Sequence, residues 1–146
     1  MSPLIIPIFI PHAGCPHRCL FCDQIKITAE PTRRIGPGHV REVLEAAIHS
    51  ARFDKNRNPE LAFYGGTFTG LSKDRMKSLL GAAAPYISGG FIRSIRVSTR
   101  PDFLDEERLN ILQAFGVSTV ELGTQSMDDR VLSLSKRGHT ARDTIR

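Results

Sequence analysis

Cysteine is scarce in this chain. There are three among 146 residues, at positions 15, 19 and 22, and none elsewhere. An odd, small number in a chain without secretory features rules out a disulfide framework as the organising device. Long apolar runs are also missing. None approaches the roughly 20 residues of a membrane-spanning helix, so no membrane partner is expected. The opening stretch from Met1 to Pro11 is apolar but has no basic segment, and Pro3, Pro7 and Pro11 break it. It does not read as a signal peptide, and a cytoplasmic location is the expectation. No Gly-Lys-Ser/Thr follows a glycine-rich turn, which excludes a Walker-type phosphate loop. No linker or low-complexity segment divides the chain, so one domain over residues 1–146 is expected. Lysine and arginine number 20 against 15 acidic residues, a net charge of +5. The basic residues are dispersed. That balance permits a phosphate-bearing partner without requiring one.

What the chain does have is concentrated. Gly14-Cys15-Pro16-His17-Arg18-Cys19-Leu20-Phe21-Cys22 holds every cysteine and follows directly on the apolar run from Leu4 to Ile10. Three thiolates on one short loop can converge on a single inorganic object. An iron–sulfur cube has four irons, normally held by four cysteines; with three, one iron would stay open to a ligand that is not cysteine. Other readings of the same residues stand beside this one. Cys19-Leu20-Phe21-Cys22 alone has the form of a redox CxxC. Three cysteines with His12 or His17 have the composition of a structural zinc site, as in a zinc-stabilised nucleic-acid-binding module. Ordinary core cysteines are less in keeping with such tight clustering.

Along the chain, Leu4 to Ile10 reads as a buried strand, placed at a sheet edge because Pro7 has no N–H for a ladder. A polar stretch from Asp23 to Ile35 follows. Gly36-Pro37-Gly38 opens a helix whose face is Val40, Val43, Leu44, Ala47 and Ile48. Glu60 to Tyr64 is a second strand. Ser72 caps a helix with Met76, Leu79, Leu80 and Ala83 inward, its end marked by Pro85, Gly89 and Gly90. Phe91 to Thr99 gives a third strand. Asp105 caps a third helix, with Leu104 and Leu109 as a hydrophobic staple and Leu109, Leu112 and Phe115 buried. Gly116 ends it, and Val117 to Leu122 is a fourth strand. Asp128 caps a short helical piece, Gly138 interrupts, and Thr140 to Asp143 has capping-box form. About four βα units in alternation predict an α/β fold with a parallel sheet, a partial (β/α) barrel. A helix opened near the end and not completed suggests the N-terminal portion of a longer domain. Half a barrel has two open strand edges, so a missing C-terminal part or self-association is expected.

In such architectures ligands gather at the carboxyl ends of the strands. There the chain places the cysteines, Gly65-Gly66-Thr67, Ser98-Thr99-Arg100-Pro101-Asp102 and Gly123-Thr124-Gln125-Ser126. All four ends are polar or glycine-rich and should face one site, which favours the cluster over the zinc reading. Gly65 and Gly66 are expected to let a ligand approach the backbone, although a strand-to-helix turn alone also uses glycines. His12 and His17 read as residues flanking the loop, and His139 as a turn or cap residue.

These motifs resemble the radical S-adenosylmethionine superfamily. Cys15-x3-Cys19-x2-Cys22, with Phe21 before the third cysteine, is similar to its cluster motif, and Phe63-Tyr64-Gly65-Gly66-Thr67-Phe68 to its glycine motif. Within it, Thr99-Arg100-Pro101-Asp102, Glu121 to Ser126 and Arg137-Gly138-His139-Thr140 resemble the branch of elongator catalytic-subunit-like proteins and oxygen-independent coproporphyrinogen oxidases. The resemblance implies that Cys15, Cys19 and Cys22 hold a [4Fe–4S] cluster whose open iron chelates S-adenosylmethionine. One electron would then cleave the sulfonium to methionine and a 5′-deoxyadenosyl radical, which takes hydrogen from a substrate. It implies cofactor contacts at Phe21, Gly65, Gly66, Thr67, Gln125 and Arg137, the last through the methionine carboxylate. The strand-3 position that often carries an acid for the ribose is Ser98 here, and Glu121 is a candidate to compensate. A flavodoxin- or ferredoxin-like one-electron donor is implied, and so is an oxidoreductase or transferase acting on a tRNA nucleoside or on a small, porphyrin-like molecule.

Overall fold

The computed structural model describes residues 2–17, 19–22 and 35–145. The polar stretch expected from Asp23 lies almost wholly outside them. Four strands, β1 (Ile5–Phe9), β2 (Glu60–Tyr64), β3 (Ser94–Thr99) and β4 (Val117–Leu122), form one sheet in the order β1-β2-β3-β4. Every pairing is parallel. Between them run α1 (Pro37–Ile48), α2 (Lys73–Ser88) and α3 (Glu106–Ala114), and two short helices follow, α4 (Asp129–Leu134) and α5 (Ala141–Ile145). This is the expected α/β partial barrel.

β1 is an edge strand, and its hydrogen bonds explain how it tolerates proline. Ile10 donates to the Tyr64 carbonyl, and Glu60 donates to that of Leu4. The even-numbered residues of β1 therefore address β2, while Ile5, Pro7 and Phe9 turn their backbone groups outward. The missing N–H of Pro7 falls where no ladder partner exists.

Alternation then sorts the two faces of the sheet. Ile6, Ile8, Leu61, Phe63, Ile95 and Val97 point into the core, where they meet Val40 and Leu44 of α1, Met76, Leu79 and Leu80 of α2, and Ile111 and Leu112 of α3. Each such side chain contributes about 1.5–3 kcal/mol on burial. The opposite face carries Pro7, Phe9, Tyr64, Arg96, Ser98 and Glu121 and is only partly covered. Arg96 ties three strands together across it, 2.9 Å from Glu60 and 2.7 Å from Glu121.

Three local expectations are corrected. Pro85 does not end α2, which runs three residues further. Its lost N–H bond falls in the last turn, where Gly89 still donates to the Pro85 carbonyl and the Tyr86 hydroxyl is anchored on Glu45 at 2.6 Å. Leu109 is exposed rather than buried. The inward stripe of α3 is Arg108, Ile111, Leu112 and Phe115, at spacings of three, one and three, and Leu109 lies one residue off it. The third strand starts at Ser94, not Phe91. Gly90 at φ 67° turns the chain, and the exposed Phe91 ring lies under the Lys55 ammonium, 4.9 Å away.

Candidate cluster and cofactor site

The cysteine loop is held to the end of β2 by backbone contacts. His12 donates to the Gly65 carbonyl at 3.2 Å, and Thr67 donates to that of Ala13 at 2.9 Å. The approach is close enough that only glycine fits. A Cβ on Gly66 would stand 2.5 Å from the Ala13 carbonyl oxygen, and one on Gly70 would stand 2.2 Å from that of Gly14. Gly14 itself has φ 73°, and a Cβ there would meet the Thr67 carbonyl oxygen at 2.1 Å. The expectation that Gly66 leaves room for a ligand is thereby altered. Gly66 lines the cavity, but the space its missing side chain frees is filled by the cysteine loop. Gly65, at φ 84°, supplies the turn.

One cavity of about 350 Å³ opens at the carboxyl ends of the strands. Small-molecule sites typically measure roughly 300–1,000 Å³. Cys15, Cys19, Cys22, Phe21, Gly65, Gly66, Thr67, Ser98, Gln125 and Arg137 all line it, so every residue expected to hold the cluster or touch its cofactor borders the same space. His12 and His17 line it too. The His17 ring lies against Gly138, where a Cβ would come within 2.4 Å of it.

The donor set suits the chemistry a cluster needs. None of the three cysteines is in a disulfide. Cys15 Sγ lies 3.1 Å from Thr67 Oγ1, and Arg137 Nη1 donates to Cys19 Sγ at 3.3 Å. Among the described residues no three His, Cys, Asp or Glu side chains are drawn together tightly enough to hold a single metal ion. The zinc reading gains no support from that. A cube spreads its irons over several ångströms and asks only that the thiols border one space, as they do. Arg137 adds a second fitting feature. Its Nη2 donates to the Gly123 carbonyl, while its Nε is buried with no partner among the described residues. A guanidinium has five N–H donors, so several remain for an anion at this wall.

Glu121 is the candidate that the sequence offered, whereas the backbone of Gln125 and the burial of Arg100 escaped it. Glu121 reaches the cavity beside Ser98, whose hydroxyl donates to Glu121 Oε2 at 3.2 Å. The neighbouring strand thus brings a carboxylate to the place where strand 3 has only a serine. Gln125 stands at φ 68°, in the left-handed region that non-glycine residues seldom adopt. Arg100 is buried, with Nε and Nη2 bonded bidentately to Asp102 at 2.9 and 2.8 Å. Nearby, burial first and the Arg137 and Arg100 cations next hold His139 below the ordinary imidazole pKa.

The chain resembles known proteins over nearly its whole length. It is 26% identical to the heme chaperone HemW of Bacillus subtilis over 134 residues, covering 90% of this chain and 35% of that one. A tRNA uridine(34) acetyltransferase of Methanocaldococcus infernus is 44% identical over 50 residues, 34% of this chain and 9% of that one. Among solved structures, the archaeal Methanocaldococcus infernus Elp3 with an N-terminal deletion superposes with a TM-score of 0.60 at 21% identity, over 99% of this chain and 34% of that one. That likeness shows the fold. The chain spans less than half the length of the curated relatives it matches. The Radical SAM superfamily matches residues 9–146, and the chain belongs to that superfamily, whose cofactors are a [4Fe–4S] cluster and S-adenosylmethionine.

Proposed function

We propose that this chain holds a [4Fe–4S] cluster on Cys15, Cys19 and Cys22 and uses it in radical chemistry on a tRNA nucleoside. The observation that carries this reading is the single cavity, which gathers the three thiols with Gly65, Gln125 and Arg137. When bound, the cluster and S-adenosylmethionine together supply reductive cleavage of the C5′–S bond and a radical that removes hydrogen from substrate. The protein's part is to hold and orient. Arg137 offers its spare N–H donors to the methionine carboxylate, bidentate pairing being what a planar guanidinium does best. Glu121, oriented by Ser98 and Arg96, is placed to accept from the ribose hydroxyls. The backbone of Gly65 and Gly66 borders the methionine end.

For the substrate, the net charge of +5 suits a polyanion, and the highest local identity among the relatives compared is to an enzyme named for tRNA uridine. The test is anaerobic reconstitution with iron and sulfide, followed by electron paramagnetic resonance of the reduced protein. The expected result is a cubane signal that changes when S-adenosylmethionine is added, with 5′-deoxyadenosine formed in excess once tRNA is present. Absence of the cubane signal overturns the assignment. A cubane signal without a tRNA effect moves the substrate to a small molecule.

A further inference from the structure

Arg137 is held from two directions. Its guanidinium donates to Cys19 Sγ at 3.3 Å and to the Gly123 carbonyl. Its own carbonyl accepts from Arg100 Nη1 at 2.6 Å. Arg100 cannot wander, because Asp102 takes its other two nitrogens and its side chain is almost wholly buried. The end of β3 thereby fixes a backbone segment 37 residues later, and that segment aims a cation at one cysteine sulfur.

The electronic consequence follows from charge. Reducing a cluster adds one electron, part of whose density falls on the ligating sulfurs. A positively charged N–H donor on a sulfur stabilises the reduced form more than the oxidised form and raises the potential. We propose that Arg100, locked by Asp102, is a positioning residue that keeps the Arg137 guanidinium on Cys19 Sγ, and that this contact raises the reduction potential of the cluster. The inference rests on the assignment of the cluster to these cysteines.

The test is a redox titration of the reconstituted protein followed by electron paramagnetic resonance, without S-adenosylmethionine so that its carboxylate does not compete for Arg137. Arg137→Met is expected to lower the midpoint potential. At the unmodified protein's midpoint the reduced-to-oxidised ratio should fall about tenfold, which is about 59 mV for a one-electron couple. Asp102→Asn separates positioning from bulk charge, because the two act with opposite signs. Removing a nearby negative charge favours the added electron and raises the potential, whereas loosening Arg100 and Arg137 lowers it. A drop in Asp102→Asn, absent when the same change is made in the Arg137→Met background, supports the proposal. An unchanged potential in Arg137→Met, or a rise in Asp102→Asn, overturns it. If Arg137→Met does not retain iron, Arg137→Gln is read in its place, since it removes the charge while keeping a polar side chain. If the unmodified protein gives no cubane signal, it is the cluster assignment that fails instead.

Discussion

Substituting Gly70 by alanine puts the contact between the cysteine loop and the β2 turn under a quantitative strain. The added Cβ would lie 2.2 Å from the Gly14 carbonyl oxygen and 3.0 Å from its carbonyl carbon. Both are backbone atoms, so no side chain can rotate away. The two segments must part by about an ångström before the contact becomes ordinary. Overpacking of this kind costs about 1–3 kcal/mol. For a chain of this size, with Tm moving about 2–4 °C per kcal/mol, the midpoint should fall by about 2–12 °C. The parting also pulls the loop away from the Ala13–Thr67 hydrogen bond, so iron bound per chain should fall after reconstitution. Gly38→Ala is the matched control. Among the described residues nothing lies within 4 Å of a Cβ there, and the residue sits in the first turn of α1. Alanine at a compatible helical site stabilises by about 0.4–1 kcal/mol, so the same chemical change should raise Tm. Circular dichroism melts and iron analysis on both variants decide the matter. A Gly70→Ala protein with an unchanged melt and full iron content would refute the argument.

Cys19→Ala should abolish cluster assembly, because two thiolates do not hold a cube firmly, and retention of full iron content would contradict the ligand assignment. Both tyrosines should ionise above the ordinary value of 10.0, Tyr64 through burial and then Glu121, Tyr86 through its hydrogen bond to Glu45; an ultraviolet titration of the folded protein should therefore show less than half tyrosinate at pH 10. His139, held below its ordinary 6.5 by burial, binds its proton more readily in the unfolded chain. It therefore contributes stability above about pH 6.5 that is lost as pH falls through the depressed folded value. Denaturant unfolding of His139→Asn should show a smaller loss over that window than the unmodified protein.

The strands and helices were legible because β1 and β2 are continuous apolar runs and α1 and α2 carry clean apolar stripes. Where pattern and structure parted, tertiary geometry made the difference. Leu109 looked like a core position in spacing, but α3 turns Arg108 inward so that its guanidinium can reach the Thr69 carbonyl at 2.7 Å. The location of the site was legible too, since each strand announces its end with glycine or polar residues. What stayed hidden was everything made by atoms distant in sequence. Gly14 and Gly70 look like loop punctuation until their backbones are seen to touch. Arg100 looks like one more surface cation until Asp102 and the Arg137 carbonyl are found around it. Glu121 could be suspected of standing in beside Ser98, but only the β3–β4 register settles that the two side chains meet.

The position of Pro7 has a consequence for how these molecules meet one another. A sheet that offers N–H and C=O groups along both borders can add copies end on end into a filament. In β1 the middle outward donor is gone, so that border is a poor template. One imino acid thus weakens the β1 border as a place where a further strand could add.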